Sequence, residues 1–382
     1  MSEWKECTIG DLGKIITGRT PRTAISENYG GKVPFLSPSD NMELKYVDKT
    51  NKTLTEQGVV EVRNCLLPAN AICVSCIGSD LGKVLITTQP TVTNQQINSI
   101  IVNEDNDTNF IYYLMTIVGK HLNFISKTST AVPIINKITF SNYKVSVPPI
   151  SKQKKIAAIL SSLDEKIETN RKINARLEEL AQTLFKSWLS KCEDTITIGE
   201  IAQNILDYTP NNNSKVRLIN SSEITEGIFD EYPLIENKNL KGHFKKRFQK
   251  GDILYSEIRP RNHHYGYALM EGDEYIISTR LMVIRNDYDK VTSPILYQYL
   301  LLPEVEANFT AKTEGRSGTF PQGTYKDLEN IKVPYSTKQD AIDSILRIIR
   351  NKLFSINKES SRLAALRDTL LPKLMSGELI PE

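Results

Sequence analysis

The sequence predicts an α+β fold in which two similar α/β domains are separated by two long antiparallel helices, an intramolecular coiled coil. Three observations predict it: the run 151–189 lacks Gly and Pro, a second copy of that run lies near the carboxyl end, and the residues that precede each copy also repeat. A chain of 382 residues, of which 40% are hydrophobic, is long enough for two domain cores. The repeat gives the fold a pseudo-two-fold internal symmetry.

The run 151–189 carries apolar side chains at alternating steps of three and four, which is the a/d pattern of a coiled-coil helix. The a/d positions are Ile156, Leu160, Leu163, Ile167, Asn170, Asn174, Leu177, Ala181, Leu184 and Trp188. A long helix packed on its own domain is an alternative, but the second copy favours the coiled coil. Asn170 and Asn174 oppose close apolar packing and are expected to fix the register of the helices.

The second copy follows the first at a constant spacing, so that Pro334 follows Pro148 by 186 residues and Gln339 follows Gln153 by the same distance. The preceding domains repeat as well: TIGDLGKIITGRTP (8–21) parallels TIGEIAQNILDYTP (197–210), and VPFLSPSD (33–40) parallels VRLINSSE (216–223). The sequence therefore predicts domain 1 (1–150), a first spacer helix (151–190), domain 2 (191–335) and a second spacer helix (336–382).

Short helices and strands are predicted to alternate within domain 1. The predicted helices are 9–16, 53–60 and 108–122, and the predicted strands are 33–36, 71–77, 83–87 and 98–102. Thr53 and Glu56 have the spacing of a capping box, and Thr108 is the expected cap of the third helix. In domain 2, Ser293 is predicted to cap a helix with Pro294 at its first position. Such a mixture indicates an α+β domain built around a curved or barrel-like sheet.

The order of the segments constrains the assembly, because the first helix ends where domain 2 begins and the second helix begins where that domain ends. A domain of this size has a radius of gyration of ~15 Å and its termini often lie close together. The helices, each roughly 60 Å long at 1.5 Å per residue, must then run antiparallel. Two similar domains held apart by a rigid spacer suit DNA, whose groove faces recur every ~34–36 Å. Diverged domains would read an asymmetric, bipartite target with an unread spacer.

Several classes of protein are disfavoured by the composition. No apolar run approaches the ~20 residues of a membrane span, and the first residues lack the apolar segment of a signal peptide, so we expect a cytoplasmic protein. Five cysteines without framework spacing indicate reduced thiols, and Cys73 and Cys76 lie on a predicted strand, where residues three apart point to opposite faces. GSDLGK (78–83) is one residue short of a P-loop, and no methyltransferase or His-based catalytic motif is present. We therefore expect no catalytic residues, metal site or cofactor in this chain.

The net charge of +3 is small, but its distribution is uneven. Residues 238–264 contain eight Lys or Arg residues and only two acidic ones, Asp252 and Glu257. A local basic patch suits a polyanion that contacts one face of a domain. A solvated charged loop explains the same composition equally well.

Five motifs occur in order along the chain: GSDLGKVLI (78–86), TNQQI (93–97), VPPISKQKKIAAIL (147–160), AQTLFKSWL (181–189) and LRDTLLPKLMSGEL (366–379). In sequence and in order they resemble those of the specificity (S) subunits of type I restriction–modification enzymes. One departure is YSEIRPRNHHYGYALM (255–270), where the family often has a Gly–Lys loop. The resemblance implies two target-recognition domains that bind double-stranded DNA and helices that dock two methyltransferase subunits, with two restriction–translocase subunits completing a complex for antiviral defence. S-adenosylmethionine for DNA methylation, ATP and Mg²⁺ then belong to the partner subunits.

The resemblance directs attention to polar and basic loop residues, because such side chains read bases and hold phosphates. The candidates in domain 1 are Arg19, Thr20, Arg22, Lys32, Ser37, Ser39, Asn41, Ser75, Ser79, Lys83, Lys127, Thr130 and Lys137. The candidates in domain 2 are Lys245, Lys246, Arg247, Arg259, Arg261, Asn262, His263, His264, Lys312, Arg316, Ser317 and Gln322. Arg259 and Arg261 are each suited to pair bidentately with a guanine.

Both long helices carry apolar residues beyond the narrow stripe that a two-stranded seam buries, and these need another surface. The partner-docking candidates are Phe185, Trp188, Leu189, Leu371 and Met375. Two alternative functions remain open at this point: an S-like subunit of a methyltransferase-only system, and a coiled-coil adaptor whose end domains bind proteins rather than DNA.

Overall fold

The computed structural model describes residues 4–47, 49–78, 81–127, 134–229, 232–286, 290–316 and 322–381, with only the backbone of Lys127. The chain divides into two compact units. Unit 1 comprises Met1–Glu165 and Ala364–Glu382, and unit 2 comprises Lys166–Leu363. Each long helix therefore contributes residues to both units. The predicted boundaries at residues 150, 190 and 335 stay predictions.

Unit 1 is built on three sheets in the described part of the chain. Its strands are β1 (Lys5–Thr8), β2 (Gly13–Thr17), β3 (Tyr29–Leu36), β4 (Tyr46–Val47), β5 (Lys52–Leu54), β6 (Leu66–Leu67), β7 (Ile72–Ser75), β8 (Val84–Thr87), β9 (Thr91–Thr93), β10 (Ile97–Val102) and β11 (Lys144–Val147). The strand orders are β2-β10-β7-β8-β4 and β5-β3-β9-β6, and β1 pairs with β11. Strands β3 and β9 are parallel, with Leu36 opposite Thr93, whereas β10 is antiparallel to β2 and β7.

The helices of unit 1 are α1 (Glu56–Glu61), α2 (Thr108–Lys127), α3 (Lys137–Ser141), the first part of α4 (Ile150–Leu189) and the last part of α8 (Asp340–Met375). Helix α1 begins after Thr55, whose Oγ1 accepts a hydrogen bond of 3.2 Å from the Gly58 N–H. The predicted cap at Thr53 is therefore wrong, because Thr53 lies in β5. Helix α2 begins at Thr108 and continues five residues beyond the predicted end at 122. The predicted cap at Thr108 is wrong, because Asp107 Oδ1 accepts the capping hydrogen bond of 2.9 Å from the Phe110 N–H.

The predicted helix at 9–16 is wrong. A single 3-10 turn, Ile9–Leu12, is followed by strand β2. Neighbouring residues of a strand point to opposite faces, and here both faces are buried: Ile15 lies in one hydrophobic core and Ile16 in another. A strand buried on both faces gives a continuous apolar run, which periodicity does not distinguish from a short helix.

Unit 2 repeats this organisation. Its strands are β12 (Asp194–Thr197), β13 (Gln203–Asn204), β14 (Lys215–Ile219), β15 (Ile224–Thr225), β16 (Ile228–Phe229), β17 (Ile235–Glu236), β18 (Phe244–Lys246), β19 (Ile253–Ser256), β20 (Tyr265–Tyr267), β21 (Tyr275–Ser278), β22 (Leu281–Arg285) and β23 (Lys332–Tyr335). The strand orders are β13-β22-β19-β20 and β17-β14-β21-β18, and β12 pairs with β23.

The two units have equivalent sheets, strand for strand. The order β2-β10-β7-β8 corresponds to β13-β22-β19-β20, and β5-β3-β9-β6 corresponds to β17-β14-β21-β18. Each second sheet contains one parallel pair, β3 with β9 and β14 with β21. Unit 1 adds strand β4, and unit 2 adds the hairpin β15–β16. The predicted internal repeat of two mixed domains is confirmed.

The helices of unit 2 are α5 (Ser293–Leu300), α6 (Pro303–Glu314), α7 (Tyr325–Glu329), the remainder of α4, and the first part of α8 (Asp340–Met375). Thr292 rather than Ser293 occupies the N-cap of α5, so Pro294 is the second helical residue. The core of the unit packs α5 and both long helices against the first sheet and contains Phe185, Tyr297 and Leu346. In the described part of the chain, no helix is both long and apolar enough to cross a membrane.

Contacts within unit 2 show that the long helices run antiparallel. Asn170 Nδ2 of α4 donates to Glu359 Oε2 of α8 at 2.9 Å, and Asn174 Nδ2 donates to Asn357 Oδ1 at 2.6 Å. Rising residue numbers in α4 thus meet falling numbers in α8. The two seam asparagines pair with polar side chains of the other helix, as their predicted role in fixing the register requires.

The other ends of both helices meet inside unit 1 with the same polarity. Arg367 Nη1 of α8 donates to Asp164 Oδ1 of α4 at 2.9 Å. Leu371 and Leu374 from the last turns of α8 share one hydrophobic core with Ile156 from the second turn of α4. The core of unit 1 is therefore completed by residues that lie more than two hundred positions further along the chain than the rest of it.

Candidate nucleic-acid interface

Each unit places two polar turns side by side where the parallel pair of its second sheet ends, β3 with β9 in unit 1 and β14 with β21 in unit 2. In unit 1, residues 37–40 follow β3 and residues 94–96 follow β9. In unit 2, residues 220–223 follow β14 and residues 279–280 follow β21. Parallel strands end at the same edge of a sheet, so the two turns of each unit form one polar edge. We call these the recognition edges of units 1 and 2.

The first turn of each recognition edge is closed in the same way. The Ser37 N–H donates to Asp40 Oδ2 at 2.7 Å, and the Asn220 N–H donates to Glu223 Oε2 at 2.6 Å. A carboxylate three residues along the chain thus caps the turn in both units, as in a capping box. The scaffold of the turn is the same, while Pro38 of unit 1 corresponds to Ser221 of unit 2.

The segment 18–22 runs beside the second turn of unit 1. The Arg19 N–H donates to the Thr93 carbonyl at 2.9 Å, and Thr20 Oγ1 donates to Gln95 Oε1 at 2.7 Å. A Cβ on Gly18 would lie only 2.2 Å from a backbone oxygen of that turn, so glycine is required for the close approach. The structure thus brings the predicted residues Arg19 and Thr20 to the recognition edge, with the Arg19 side chain exposed.

Other predicted cations of unit 1 differ in their surroundings. Burial raises the pKa of the Cys65 thiol, while the charges of Arg19 and Lys137 act to lower it. Lys137, the first residue of α3, is exposed. Lys32 on β3 is exposed. Two cations are ion-paired: Arg22 Nε lies 3.1 Å from Glu61 Oε1, and Lys83 Nζ lies 2.8 Å from Glu43 Oε1.

Ser75 is 1% exposed, and its Oγ is buried without a hydrogen-bond partner. A buried hydroxyl cannot contact DNA, which corrects the prediction for Ser75. Ser39 and Asn41 are exposed, as the prediction requires, although Asn41 Oδ1 accepts a hydrogen bond from the Glu43 N–H. The predicted residues Ser79 and Thr130 and the side chain of Lys127 lie outside the described residues.

The recognition edge of unit 2 encloses a cavity of about 380 Å³. Four predicted DNA-binding residues line it: Arg259, Asn262, His264 and Gln322. The cavity is completed by residues that the sequence analysis did not select: Asn220, Ser221, Ser222, Ile258 and Arg280. Side chains of this composition offer both hydrogen-bond donors and acceptors, as base edges require.

The loop of residues 259–264 has an unusual backbone. Arg259 and His263 have φ values of +49° and +54°, in the left-handed region that residues other than glycine rarely adopt. Each such residue costs on the order of 1–3 kcal/mol and persists only where its surroundings hold it. A 3-10 turn, Pro260–Asn262, links the two residues, and the Asn262 N–H donates to the Arg259 carbonyl at 2.9 Å. In this conformation the Arg259 and Asn262 side chains line the cavity.

Two other residues of the same loop do not line the cavity. Arg261 Nη2 lies 2.7 Å from Glu314 Oε2, although the Arg261 side chain is largely exposed. His263 lies between two carboxylates, with Nδ1 3.2 Å from Glu226 Oε1 and Nε2 2.8 Å from Glu306 Oε1. The loop therefore divides its polar side chains between the cavity and ion pairs with neighbouring elements.

The basic segment around β18 is only partly available. Lys246 is 1% exposed and its Nζ donates to the Leu281 carbonyl at 2.6 Å, which corrects its prediction as a DNA contact. Burial lowers the pKa of Lys246. Lys245 is exposed, with its Nζ 5.9 Å from the centre of the Tyr208 ring, and Arg247 is half-buried.

The last predicted cations of unit 2 contact α7. Lys312 Nζ donates to the Asp327 carbonyl at 3.0 Å, and Arg316 Nη2 donates to Asp327 Oδ1 at 2.8 Å. Both side chains nevertheless belong to exposed residues. Ser317 lies outside the described residues.

Three of the predicted docking residues are interior residues of their units. Phe185 is 1% exposed and its ring centre lies 5.2 Å from that of Tyr299. Leu371 and Met375 are 5% and 8% exposed in the core of unit 1. These side chains stabilise the chain itself, which corrects their prediction as docking residues. Trp188 and Leu189 are half-buried, and Trp188 Nε1 donates to the Lys338 carbonyl at 2.9 Å.

The repeat identifies three of the missed residues: Asn220, Ser221 and Ser222. They lie in VRLINSSE, which corresponds to VPFLSPSD of domain 1, where the sequence predicts contacts in the turn 37–41. Arg280 carried no comparable signal, because it follows a strand in a segment without turn residues. Among the described residues, no group of three or more His, Cys, Asp or Glu side chains is placed to hold a metal ion.

Two repeated mixed domains on one antiparallel helix pair, each with a polar recognition edge, define a class of proteins that present two different sets of surface loops. The sequence matches the type I restriction modification DNA specificity domain twice, over residues 1–179 and 193–363. The chain belongs to this family, and its function is DNA sequence recognition in a type I restriction–modification system.

Individual relatives agree with this assignment. The chain is 25% identical over 415 residues to the type I restriction enzyme MjaIX specificity subunit of Methanocaldococcus jannaschii, covering 99% of this chain and 94% of the relative. It is 34% identical over 195 residues to the HindI specificity subunit of Haemophilus influenzae, covering 49% and 41% of the two chains. The fold is similar to that of a type I S subunit from M. genitalium, with a TM-score of 0.60, 18% identity and coverage of 99% and 96%.

Proposed function

We propose that the chain reads an asymmetric, bipartite DNA target with an unread spacer, and that each recognition edge reads one half. One observation carries the proposal: equivalent turns on equivalent sheets present different side chains, with Ser37 and Pro38 in unit 1 where unit 2 has Asn220 and Ser221. Sequence is read by hydrogen bonds to base edges, so different side chains on one scaffold select different bases.

The contacts divide by type. Cations on each unit are suited to phosphates. In unit 1 these are the exposed residues Arg19, Lys32 and Lys137 and the half-buried Lys83, and in unit 2 the exposed residues Lys245, Arg261, Lys312 and Arg316. Polar side chains on the recognition edges are suited to bases: Thr20, Ser39 and Asn41 in unit 1, and Arg259, Asn262, His264 and Gln322 in unit 2. Ser79, Lys127, Thr130 and Ser317 remain predicted contacts.

The target organisation is tested by mapping modified bases in DNA from cells that express this chain together with the methyltransferase subunit of a type I system from the same host. We expect one split motif, with methyladenine in both halves and a spacer without base preference. The two domains have diverged, so the halves should differ. A continuous or palindromic motif would contradict the proposal of two readers.

We also propose that two copies of a methyltransferase subunit dock on the long helices and supply the chemistry that this chain lacks. Four exposed apolar residues support this: Ile159 and Leu180 on α4, and Ile345 and Leu366 on α8. They correspond in pairs at the repeat spacing of 186 residues, and each pair is equally exposed, at 36% and 39% for the isoleucines and 46% and 47% for the leucines.

Apolar residues that stay exposed at matched positions indicate two equivalent surfaces. Unit 1 holds Ile159 and Leu366, and unit 2 holds Leu180 and Ile345. Two equivalent surfaces on one chain bind two copies of the same partner. Restriction–translocase subunits would join this assembly, and a system that only methylates DNA is the alternative. Purifying the tagged chain from its host and identifying the bound subunits decides between the two.

Ile159→Asp is expected to remove one of the two bound methyltransferase copies, and Ile345→Asp the other, because a charge in an apolar interface is desolvated without a partner. Native mass spectrometry of the complex should give two copies for the parent chain, one for each single variant and none for the double variant. Val60→Asp, at a residue of unit 1 that is 68% exposed, is the matched control and should retain two copies. Retention of both copies by Ile159→Asp would refute the docking surface.

A further inference from the structure

The last residue of the second turn holds the same structural position in both units. In unit 1 this residue is Gln96, directly before β10, and its carbonyl accepts a hydrogen bond of 2.8 Å from the Cys76 N–H. In unit 2 it is Arg280, directly before β22, and its carbonyl accepts a hydrogen bond of 3.0 Å from the Glu257 N–H. Cys76 and Glu257 each come one residue after corresponding strands, β7 and β19.

The strand registers confirm that the correspondence has no offset. Ile97, the residue after Gln96, pairs with Ser75 at the end of β7. Leu281, the residue after Arg280, pairs with Ser256 at the end of β19. A slip of one residue would reverse the face of every side chain in these strands. Gln96 and Arg280 are therefore the same position of the repeat, occupied by two different side chains.

Arg280 is exposed and lines the cavity of the recognition edge in unit 2. Within the described residues its guanidinium has no hydrogen bond or ion pair with the protein, unlike Arg261, Arg285 and Arg316. The Arg280 guanidinium lines the cavity together with Asn220 and Asn262, and its planar set of N–H donors can pair with two acceptors of one ligand. Guanine presents such a pair, O6 and N7, in the major groove.

Gln96 is half-buried, and its Oε1 accepts a hydrogen bond of 2.9 Å from Asn94 Nδ2 in the same turn. This contact holds the amide in place and leaves one lone pair of Oε1 for another donor. In the described part of the chain, Nε2 has no protein acceptor. An oriented amide with one donor and one acceptor free matches the N7 and N6 edge of adenine.

We propose that Gln96 and Arg280 are equivalent specificity-determining residues, with Arg280 reading a guanine in one half of the target and Gln96 reading an adenine in the other. The inference deepens the proposed function and rests on it. It adds to the candidates from the sequence one position that the repeat itself identifies, and it assigns to that position a defined base in each half.

The test exchanges the two side chains in the full chain, in complex with its methyltransferase subunits. Binding selection from randomised duplexes should show that Arg280→Gln changes one position of one half from guanine to adenine. Gln96→Arg should make the opposite change in the other half. The discrimination at that position should change by about 10–100-fold, as expected for one bidentate pair. Every other position should keep its preference.

Two further variants separate base reading from charge. Arg280→Lys keeps the charge but loses the planar fork, so it should lose discrimination for guanine, whereas a contact made only to phosphate would survive this change. Lys250→Gln removes the same charge from unit 2 at an exposed residue that pairs with Glu271, and it should leave the motif unchanged. Both substituted residues are exposed, and fluorescence of Trp188 checks that unit 2 remains folded.

The outcomes are distinct. A uniform loss of affinity for all sequences, with a salt slope reduced by about one, would make Arg280 a phosphate contact and overturn the proposal. An unchanged motif in both exchange variants would overturn it as well. If the parent complex shows no sequence preference for any duplex, the proposed function itself fails, whatever the variants do.

Discussion

Glu178→Gln is expected to lower the free energy of unfolding of unit 2 by about 3 kcal/mol. Arg350 is 5% exposed, and its guanidinium donates to both oxygens of the Glu178 carboxylate, with Nη2 2.8 Å from Oε2. It also lies 4.8 Å from the centre of the Tyr297 ring. Neutralising the carboxylate leaves a buried cation without its counter-charge, which costs ~3–5 kcal/mol for a fully buried pair. Glu178 is 31% exposed, so the low end of that range applies.

Urea unfolding followed by tryptophan fluorescence measures this change. The chain has two tryptophans, Trp4 in unit 1 and Trp188 in unit 2, so Trp4→Phe leaves a signal from unit 2 alone. Arg347→Gln is the matched control: the Arg347 side chain is 51% exposed in its ion pair with Asp343 one helical turn away, and such a pair is worth less than ~1 kcal/mol. An equal, small loss in both variants would show that Arg350 finds other partners. Replacing Glu178 and Arg350 together by Leu and Met should restore most of the stability.

Phe185→Ala is expected to destabilise unit 2 by about 3–5 kcal/mol, the usual cost of deleting a buried aromatic ring. The ring is 1% exposed and its centre lies 5.7 Å from that of Trp188 and 5.2 Å from that of Tyr299. Its removal leaves a cavity between α4 and α5 that the neighbouring rings fill only in part. The same urea titration in the Trp4→Phe background reports the loss directly, because Trp188 lies at the site.

Leu180→Ala separates core from docking surface on the same helix. Leu180 is 46% exposed, so its truncation should change the free energy of unfolding by no more than ~0.5 kcal/mol. It should instead weaken binding of the methyltransferase copy on unit 2. A stable Phe185→Ala variant that fails to bind its partner would reverse this assignment and restore Phe185 to the interface.

The sequence predicted the architecture because the long helix and the domain before it both occur twice in the chain. Long-range pairing of helices is seldom visible in one sequence, but a helix whose copy follows at constant spacing, with a domain between the two, allows few arrangements. The polar seam positions Asn170 and Asn174 even marked where the helices pair through hydrogen bonds. Failures were local, as at Ile15 and Ile16, where burial of both faces of a strand removed the alternation that identifies it.

The site was predicted less well, because exposure of a side chain depends on tertiary packing. Ser75 is polar and precedes a predicted loop, and Lys246 lies in a basic segment. Both are nevertheless buried, because strands from other parts of the chain cover them. Phe185 was assigned to a partner because its heptad position faces away from the helix seam. The surface it meets is α5 of its own unit, more than a hundred residues further along.

The division of each long helix between the units affects the order in which the units fold during synthesis. Unit 1 contains the first 165 residues of the chain and also residues from 364 onward. Leu371 and Leu374 fill its core, and Gly377 packs against the Trp4 indole, so a nascent chain holds an open hydrophobic groove until its last helix leaves the ribosome. Unit 2 is one continuous segment, Lys166–Leu363, so its core can form earlier. During synthesis from the amino end, all residues of unit 2 are therefore available before those of unit 1.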